Sequence, residues 1–297
     1  MITIGIPAHN EQTYIGSVVL LASRVGDKVV VVNDGSTDYT GEILEKAPSN
    51  VFVRTHPKNM GYGCALKTIF EEFMAHITQD DDVLVILDGD GQHDPLDVVR
   101  VASGVLSGEA DIVIGSRFLP DSSTDVTQSR KFGIKSINRL VRGTMGYELT
   151  DSQSGFRAYN VRAAETILYN LKNTGMGASL EILDIARKYK FRISEYPISC
   201  QYDGLQGSGQ SMFTHGADLI GTVVQTIAER YSKWLFVASL VVVVVGSLLG
   251  IRGLQLYNEL GVIIPNYVIV SFSMVILGAT AMQIAITLYS LARMKEG

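Results

Sequence analysis

The sequence predicts a doubly wound α/β domain with a mostly parallel sheet, followed by a two-helix transmembrane hairpin. Three observations lead to this fold class. Short runs of β-branched residues alternate with helical patterns through the first 120 residues. Those runs are continuously apolar, as is usual for parallel strands that helices cover on both faces. The last quarter of the chain contains two apolar stretches, and each is long enough to span a bilayer.

The first half of the chain alternates five predicted strands with four predicted helices. The strands are predicted at 2–6, 28–32, 51–55, 83–87 and 111–115, and the helices at 11–24, 38–47, 61–77 and 95–107. Pro95 opens the last of these helices at a first-turn position that proline favours, with Asp94 before it as the predicted cap. Ligands bind beyond the carboxyl ends of the strands in such sheets, so the polar residues after each strand are candidates for a site.

The second half continues with further elements in a less regular order. Helices are predicted at 130–145, 161–170 and 178–190, a strand at 192–200, a loop at 202–211, and a helix that starts near 215. The predicted organisation is a cytosolic domain at 1–213, an amphipathic juxtamembrane helix at 214–232 and a transmembrane hairpin at 233–297.

The membrane prediction depends on two stretches without charge, 234–251 and 261–292. A pair of buried core helices is the alternative, but the sequence at 237–250 is apolar all round and has no polar face for water. Basic residues flank the pair at both outer ends, namely Arg230, Lys233, Arg293 and Lys295. By the positive-inside rule, we expect a multi-pass cell-membrane protein whose catalytic domain is on the cytoplasmic face. The hairpin also offers a surface through which two copies could associate.

The fourth strand ends in DGDGQHD at 88–94. An EF-hand loop needs glycine and glutamate where this chain has His93 and Val99, so that interpretation fails. A solvated acidic turn is a second interpretation. The third is a divalent cation held together with substrate phosphates, since Asp88 and Asp90 are two residues apart at an extended strand end and can turn to one side. The chain has neither GxGxxG nor GxxxxGK[ST], so neither a Rossmann site nor a P-loop is indicated.

The sequence resembles a known protein family in five motifs that follow one another in order along the chain. They are PAHNE at 7–11, VVNDGSTD at 31–38, KNMGYGCALKTI at 58–69, LDGDGQHDP at 87–95 and IGSRF at 114–118. Together they resemble family 2 glycosyltransferases, and most closely the polyprenyl-phosphate branch that includes dolichyl-phosphate mannose and glucose synthases. The resemblance extends over roughly residues 3 to 200. It implies a glycosyltransferase A-type fold.

The resemblance also implies residue roles. The implied donor-binding residues are Pro7, His9, Glu11, Asp34, Asp88, Gly89, Asp90 and Arg117. Asp88, Asp90 and Gln92 would hold Mg²⁺ or Mn²⁺ on the donor diphosphate. Asp90, Arg117 and Asp151 are the implied catalytic residues, and a guanidinium fork such as that of Arg117 suits a phosphate.

The expected acceptor region begins at a basic segment, 126–147, which has five basic residues and no acidic one. Its spacing predicts an amphipathic helix with a cationic face, which suits anionic membrane lipids, although a solvated face over a core stripe is equally compatible. The resemblance places the lipid phosphate near this region and near TDSQSGFRAYN at 150–160. The implied acceptor-binding residues are Arg130, Lys131, Arg139, Ser154 and Arg157.

The predicted function is transfer of one hexose or N-acetylhexosamine from a nucleotide sugar to polyprenyl or dolichyl phosphate, with inversion. The mannose synthases that this sequence resembles tend to carry arginines and lysines before the membrane-directed helix, whereas the segment 202–216 has neither. The resemblance therefore favours UDP-glucose or UDP-N-acetylglucosamine over GDP-mannose. The alternatives are a GDP-mannose-dependent synthase, a transferase that acts on a glycosylated lipid, and a catalytically silent nucleotide-binding subunit. The net charge of −5 gives no indication of a nucleic-acid partner.

Overall fold

The computed structural model describes residues 1–124, 138, 147–200 and 211–293. The predicted helix at 130–145, apart from residue 138, and most of the loop at 202–211 lie outside the described residues. So do three of the predicted acceptor residues, Arg130, Lys131 and Arg139.

The amino-terminal part of the domain follows the predicted alternation. Its elements are β1 (Ile2–Ala8), α1 (Ile15–Val25), β2 (Lys28–Asn33), α2 (Thr40–Leu44), β3 (Val51–Thr55), α3 (Tyr62–Met74), β4 (Val83–Ile86), a 3-10 turn (Pro95–Asp97), α4 (Val98–Leu106) and β5 (Ile112–Ser116). All five predicted strands are confirmed. The Asp94 side chain accepts a hydrogen bond from the Leu96 N–H at 2.9 Å, which confirms the predicted cap.

The later elements depart from the prediction in two places. They are β6 (Ser123–Thr124), β7 (Arg157–Asn160), α5 (Val161–Asn170), α6 (Ala178–Lys188), β8 (Ile193–Pro197) and β9 (Ser199–Cys200). The single strand predicted at 192–200 is wrong, because the chain changes sheets after Pro197: β8 joins the main sheet, whereas β9 pairs with β6. The strand β7 was not predicted.

The main sheet has seven strands in the order β3-β2-β1-β4-β7-β5-β8. Strand β7 is antiparallel to both of its neighbours, and the other pairings are parallel. One apolar core lies between the sheet and helices α1, α2 and α4, and a second lies on the opposite face under α3, α5 and α6. The predicted doubly wound, mostly parallel α/β fold is therefore confirmed. The parallel strands bring their carboxyl ends to one edge, which we call the carboxyl edge.

The chain divides into two compact units, Met1–Leu219 and Ile220–Gly297. Helix α7 (Ser211–Leu260) runs without interruption through the predicted boundaries at 213 and 232, and α8 (Pro265–Arg293) follows it. Those finer boundaries stay predictions.

Two candidate membrane spans, Trp234–Leu260 and Pro265–Leu288, lie in these helices, and only 11% of the most apolar window of each is buried. Because this apolar surface is left uncovered, the helices fit the predicted membrane association better than they fit a soluble core.

The two long helices approach each other closely along a row of glycines. A Cβ on Gly246 would lie 2.9 Å from the Cβ of Met274, and one on Gly253 would lie 3.0 Å from the Cβ of Tyr267. Small residues permit close helix contact in membranes. This row therefore serves packing within the hairpin, and association of two hairpins stays a prediction.

Candidate active site

Asp88 and Asp90 follow β4 at the carboxyl edge, as predicted. The Tyr62 hydroxyl donates a hydrogen bond to Asp88 Oδ1 at 3.3 Å, and Asp90 Oδ1 accepts the Gln92 N–H at 3.0 Å. Burial and then the charge of Asp90 raise the pKa of Asp88 to about 7. The Gly155 backbone lies against this carboxylate, so closely that a Cβ there would collide with it. Asp88 is thus a closely packed carboxylate whose negative charge is incompletely compensated.

Glu11 adds a third acidic group from the end of β1. Burial, and then the charges of Asp90 and Asp88, raise the pKa of Glu11 to about 8. In the part of the chain that the structure describes, no three His, Cys, Asp or Glu side chains form a metal-binding group on their own. The donor set nevertheless fits Mg²⁺ or Mn²⁺, since these ions usually take one or two carboxylates and complete their coordination with water and substrate phosphates.

Asp34, at the end of β2, anchors the loop that leads into α3. Its carboxylate accepts hydrogen bonds from the N–H groups of Met60 and Gly61, both at 2.8 Å, and lies 2.7 Å from His56 Nδ1. Only 3% of Asp34 is exposed. These contacts favour a role in shaping the carboxyl edge. The predicted contact of Asp34 with the nucleobase stays a prediction.

Pro7, His9 and Gly89 lie together where β1 meets the turn after β4. His9 Nδ1 is 2.8 Å from the Asp34 carbonyl oxygen, which can only accept, so Nδ1 carries the proton. A Cβ on Gly89 would lie 3.2 Å from the Pro7 carbonyl oxygen and 3.1 Å from Ile15 Cδ1. Glycine thus permits close packing of the turn on β1, and the donor-binding roles of these three residues stay predictions.

Arg117 and Asp151 form a bidentate ion pair next to the acidic group. Arg117 Nε lies 2.6 Å from Asp151 Oδ2, its Nη2 lies 2.7 Å from Oδ1, and its backbone N–H donates to Oδ2 at 3.2 Å. Asp151 is fully buried and Arg117 is 9% exposed. The Arg117 charge lowers the pKa of Asp88, although burial and Asp90 outweigh it, so the fork lies near the acidic pair.

The segment before Asp151 is held by a further carboxylate. Glu195 accepts hydrogen bonds from the N–H groups of Thr150 at 2.7 Å and Asp151 at 2.8 Å. Burial is the main cause that raises the pKa of Glu195 above its usual range. Glu195 therefore positions Asp151 through the backbone.

Arg157 and Ser154, predicted to bind the acceptor, are buried within the domain. The Arg157 guanidinium donates to the carbonyl oxygens of Ser154 at 2.8 Å, Ser152 at 2.8 Å and Ser179 at 2.9 Å. Arg157 is only 2% exposed, and the Ser154 side chain accepts the Phe156 N–H at 3.2 Å. These contacts favour a positioning role for both residues, and their predicted acceptor contacts stay predictions.

Two residues of the site could not be assigned to it from the sequence. From the sequence, Tyr62 would be taken for an ordinary aromatic core residue at the start of a helix. Nothing in its spacing indicates that its hydrogen-bond partner, Asp88, is 26 residues away. His93 follows Gln92 directly, but a single histidine in a turn is more often a structural residue than a functional one. His93 is 6% exposed, and within the described part of the chain neither ring nitrogen has a hydrogen-bond partner. Burial, followed by the Arg117 charge, lowers the pKa of His93 to about 3.

Comparison with known proteins identifies the family. The profile of the family described as "Glycosyl transferase family 2" matches residues 3–168. A UDP-N-acetylglucosamine–dolichyl-phosphate N-acetylglucosaminyltransferase of Methanococcus voltae is 31% identical over 68% of this chain and 86% of its own length. A dolichyl-phosphate β-glucosyltransferase of Trichomonas vaginalis is 28% identical over 78% of this chain and 75% of its own length. Other curated relatives are named for mannose transfer.

A solved structure agrees on the fold. The glucosyl-3-phosphoglycerate synthase of Mycobacterium tuberculosis, crystallised with Mn²⁺, UDP and glucosyl-3-phosphoglycerate, superposes with a TM-score of 0.56 at 20% identity, over 76% of this chain and 79% of that one. The family profile covers more than half of the chain, from β1 to α5. The chain therefore belongs to glycosyltransferase family 2, and it is a glycosyltransferase.

Proposed function

We propose that this chain transfers one hexose or N-acetylhexosamine from a nucleotide sugar to a polyprenyl or dolichyl phosphate at a membrane surface. The observation that carries the proposal is the Asp88 and Asp90 pair beside the Arg117–Asp151 fork at the carboxyl edge. The names of the dolichyl-phosphate relatives and the two long apolar helices support a lipid acceptor.

On the donor side, Asp88 and Asp90, with Gln92, would hold Mg²⁺ or Mn²⁺. Bound there, the cation would supply positive charge to the leaving nucleoside diphosphate. Mn²⁺ and UDP in the structural neighbour support this assignment. Arg117 lies on the same edge and stabilises negative charge, while Asp151 fixes the direction of the fork.

On the acceptor side, the proposed chemistry needs no general base. The second pKa of a phosphate monoester is near 6, so the acceptor is already mostly ionised at neutral pH. The enzyme has only to align an in-line attack on the anomeric carbon. We infer a single displacement with inversion, in which the new bond to the acceptor oxygen forms as the bond to the diphosphate breaks.

A transferase that adds a sugar to a glycosylated lipid is the second candidate. Its acceptor hydroxyl would need a base, and Asp151 is the carboxylate that the sequence offers for that task. In the structure, that carboxylate accepts three hydrogen bonds from Arg117. Since these bonds occupy both oxygens of Asp151, the geometry favours the phosphate acceptor.

The donor and the orientation in the membrane belong to the same proposal. The absence of arginine and lysine from 202–216 favours UDP-glucose or UDP-N-acetylglucosamine over GDP-mannose. Basic residues outside the two spans favour a cytoplasmic catalytic domain. A reporter enzyme fused after Gly297 that is active only in the cytoplasm would support this orientation, and activity only on the opposite side would contradict it.

The decisive experiment is a transfer assay with the full chain in detergent. UDP-glucose, UDP-N-acetylglucosamine and GDP-mannose are each offered with a polyprenyl phosphate and Mg²⁺ or Mn²⁺. We expect addition of a single sugar to give a β-linked product from an α-linked donor, and loss of turnover with EDTA or in Asp90→Asn. The exposed variant Asp184→Asn is the control and should retain activity. An α-linked product, or transfer only to a glycosylated lipid, would contradict the proposal.

A further inference from the structure

His93 has an unusual environment for a buried polar residue. The residue is 6% exposed, and neither Nδ1 nor Nε2 has a hydrogen-bond partner among the residues that the structure describes. A histidine ring always carries at least one N–H, and a buried N–H is normally paired. An unpaired donor in the interior is energetically unfavourable, so it calls for a partner that the described residues do not supply.

The surroundings of His93 indicate what that partner is. Its ring centroid lies 5.4 Å from that of Phe156, and its backbone pairs with Cys200 in an isolated antiparallel bridge. These contacts fix the ring in an apolar environment. The guanidinium of Arg117 also acts electrostatically on the ring. The N–H that the ring always carries can only donate, so the partner it requires is an acceptor such as an anionic oxygen, and not a cation.

The position of His93 in the chain indicates more about the chemical nature of its partner. His93 directly follows Gln92 in the segment that would hold the cation and diphosphate, and Arg117 acts electrostatically on both His93 and Asp88. His93 therefore lies in the same turn as the acidic pair, within electrostatic range of Arg117. Both substrates of the proposed reaction bring phosphate oxygens to this edge.

We propose that His93 is a phosphate-binding residue, whose imidazole N–H donates a hydrogen bond to a phosphate oxygen of a bound substrate. This inference rests on the proposed function, since either the donor diphosphate or the phosphate of the lipid acceptor supplies that oxygen. The histidine acts with Arg117, so the phosphate receives a hydrogen bond from an imidazole N–H beside a guanidinium.

Three substitutions of His93 test this inference. His93→Phe keeps an aromatic ring beside Phe156 and removes both nitrogens. In His93→Asn the amide nitrogen takes approximately the place of Nδ1, and in His93→Gln that of Nε2. Binding of two probes to the full chain in detergent is measured by calorimetry, namely UDP with Mn²⁺ and farnesyl phosphate without nucleotide.

We expect His93→Phe to weaken binding of one probe about tenfold or more, the effect of losing a hydrogen bond to a charged group. Weaker UDP binding would assign the contact to the donor, and weaker farnesyl phosphate binding would assign it to the acceptor. One of the two amide variants should restore part of the loss. The melting temperature of the free protein should not fall in His93→Phe, since the substitution removes buried unpaired atoms.

Thr3→Val is the matched control. Thr3 Oγ1 is also buried and unpaired, but it lies near the start of β1, at the opposite end of the strand from the carboxyl edge. This variant should bind both probes as the wild type does, and its melting temperature should also not fall.

Unchanged binding of both probes in a folded His93→Phe protein would overturn the inference, because the ring would then be paired with water only. If that variant does not fold, unchanged binding in both amide variants would overturn it as well, since neither amide reproduces both nitrogens. Failure of the proposed function would look different: the wild type would transfer no sugar to a polyprenyl phosphate, whatever the His93 variants bind.

Discussion

The ion pair between Arg117 and Asp151 gives the sharpest prediction for stability. Asp151→Asn keeps the size and shape of the side chain but removes its charge. The guanidinium of Arg117, 9% exposed, then remains buried opposite a neutral amide that can accept with only one of its two terminal atoms. Breaking a buried pair by removing one partner costs about 3–5 kcal/mol, because the other charge is left uncompensated.

The structure supports the upper part of that range. Asp151 is fully buried and accepts two side-chain hydrogen bonds, at 2.6 and 2.7 Å, and a backbone hydrogen bond at 3.2 Å. For a domain of this size, 1 kcal/mol corresponds to about 2–4 °C in melting temperature. We therefore expect the melting temperature of the full chain in detergent to fall by roughly 8–20 °C.

An exposed pair of the same chemistry provides the control. Arg187 Nη2 lies 2.7 Å from Asp184 Oδ1, but the two side chains are 38% and 35% exposed. Exposed pairs contribute about 0–1 kcal/mol, so Asp184→Asn should lower the melting temperature by no more than about 4 °C. Equal shifts for Asp151→Asn and Asp184→Asn would refute the reasoning, since burial would then make no difference to the pair.

Three further predictions concern the acidic pair and the sheet. Tyr62→Phe removes the hydroxyl that donates a hydrogen bond to Asp88, so the affinity for Mn²⁺ should fall about tenfold. Electron paramagnetic resonance measures this affinity, and an unchanged value would exclude a positioning role for Tyr62. Gly155→Ala places a Cβ against the Asp88 carboxylate and should reduce both Mn²⁺ affinity and turnover. In the control Gly108→Ala, a Cβ would meet no atom within 4 Å, although the φ of +73° strains an alanine there, so the variant should lose some stability but keep Mn²⁺ affinity and turnover. Equal losses of affinity and turnover in the two variants would contradict the contact between Gly155 and Asp88. Although burial opposes the effect, hydrogen bonds from Arg192 and Asn160 lower the pKa of Asp111 below its usual 3.8. The charge of Asp111 therefore contributes its full stabilisation above pH 3.8, and this contribution is lost as the pH falls below 3.8. We expect the melting temperature of Asp111→Asn to be lower than that of the wild type at pH 7, and the two melting temperatures to converge under acid conditions. A difference in melting temperature that does not change with pH would contradict the lowered pKa.

Much of the fold could be predicted because its strands are continuous apolar runs. Strand β2, KVVVVN, is buried along its whole length, and its pattern alone identifies a strand covered on both faces. Strand β7, RAYN, gives no such signal, since it is short and begins with an arginine. That arginine is buried because three carbonyl oxygens accept from it, and two of them belong to residues in the turn just before it. Side-chain pairing of this kind does not show in a hydrophobic pattern.

The candidate site, like the fold, could be predicted from the sequence only in part. The acidic residues after β4 were recognisable, because charges at the end of an apolar strand require a function or a solvated turn. The contacts of Asp34 were not, since its partners His56, Met60 and Gly61 lie 22 to 27 residues away and include two backbone N–H groups. Sequence motifs thus identified which residues lie at the carboxyl edge, and only the structure shows which of them hold that edge together.

The distribution of charge explains why the site is expected to depend on a cation. The positive charge of Arg117 is matched within the protein by Asp151, at 2.6 and 2.7 Å. The remaining acidic residues of the edge include Glu11, Asp88 and Asp90. Burial, and then repulsion from the neighbouring carboxylates, raises the pKa values of Glu11 and Asp88. A nucleoside diphosphate carries further negative charge, so binding beside these groups would be opposed by repulsion. A divalent cation would reverse the sign of that interaction, because it attracts the carboxylates and the diphosphate together.

The same argument predicts that UDP binds much more weakly after chelation of divalent cations, and that Asp88→Asn recovers part of this loss because it removes one of the repelling charges. If UDP binding by the wild type were unaffected by chelation, the acidic residues would not face the diphosphate, and the assignment of this edge to the donor would be wrong.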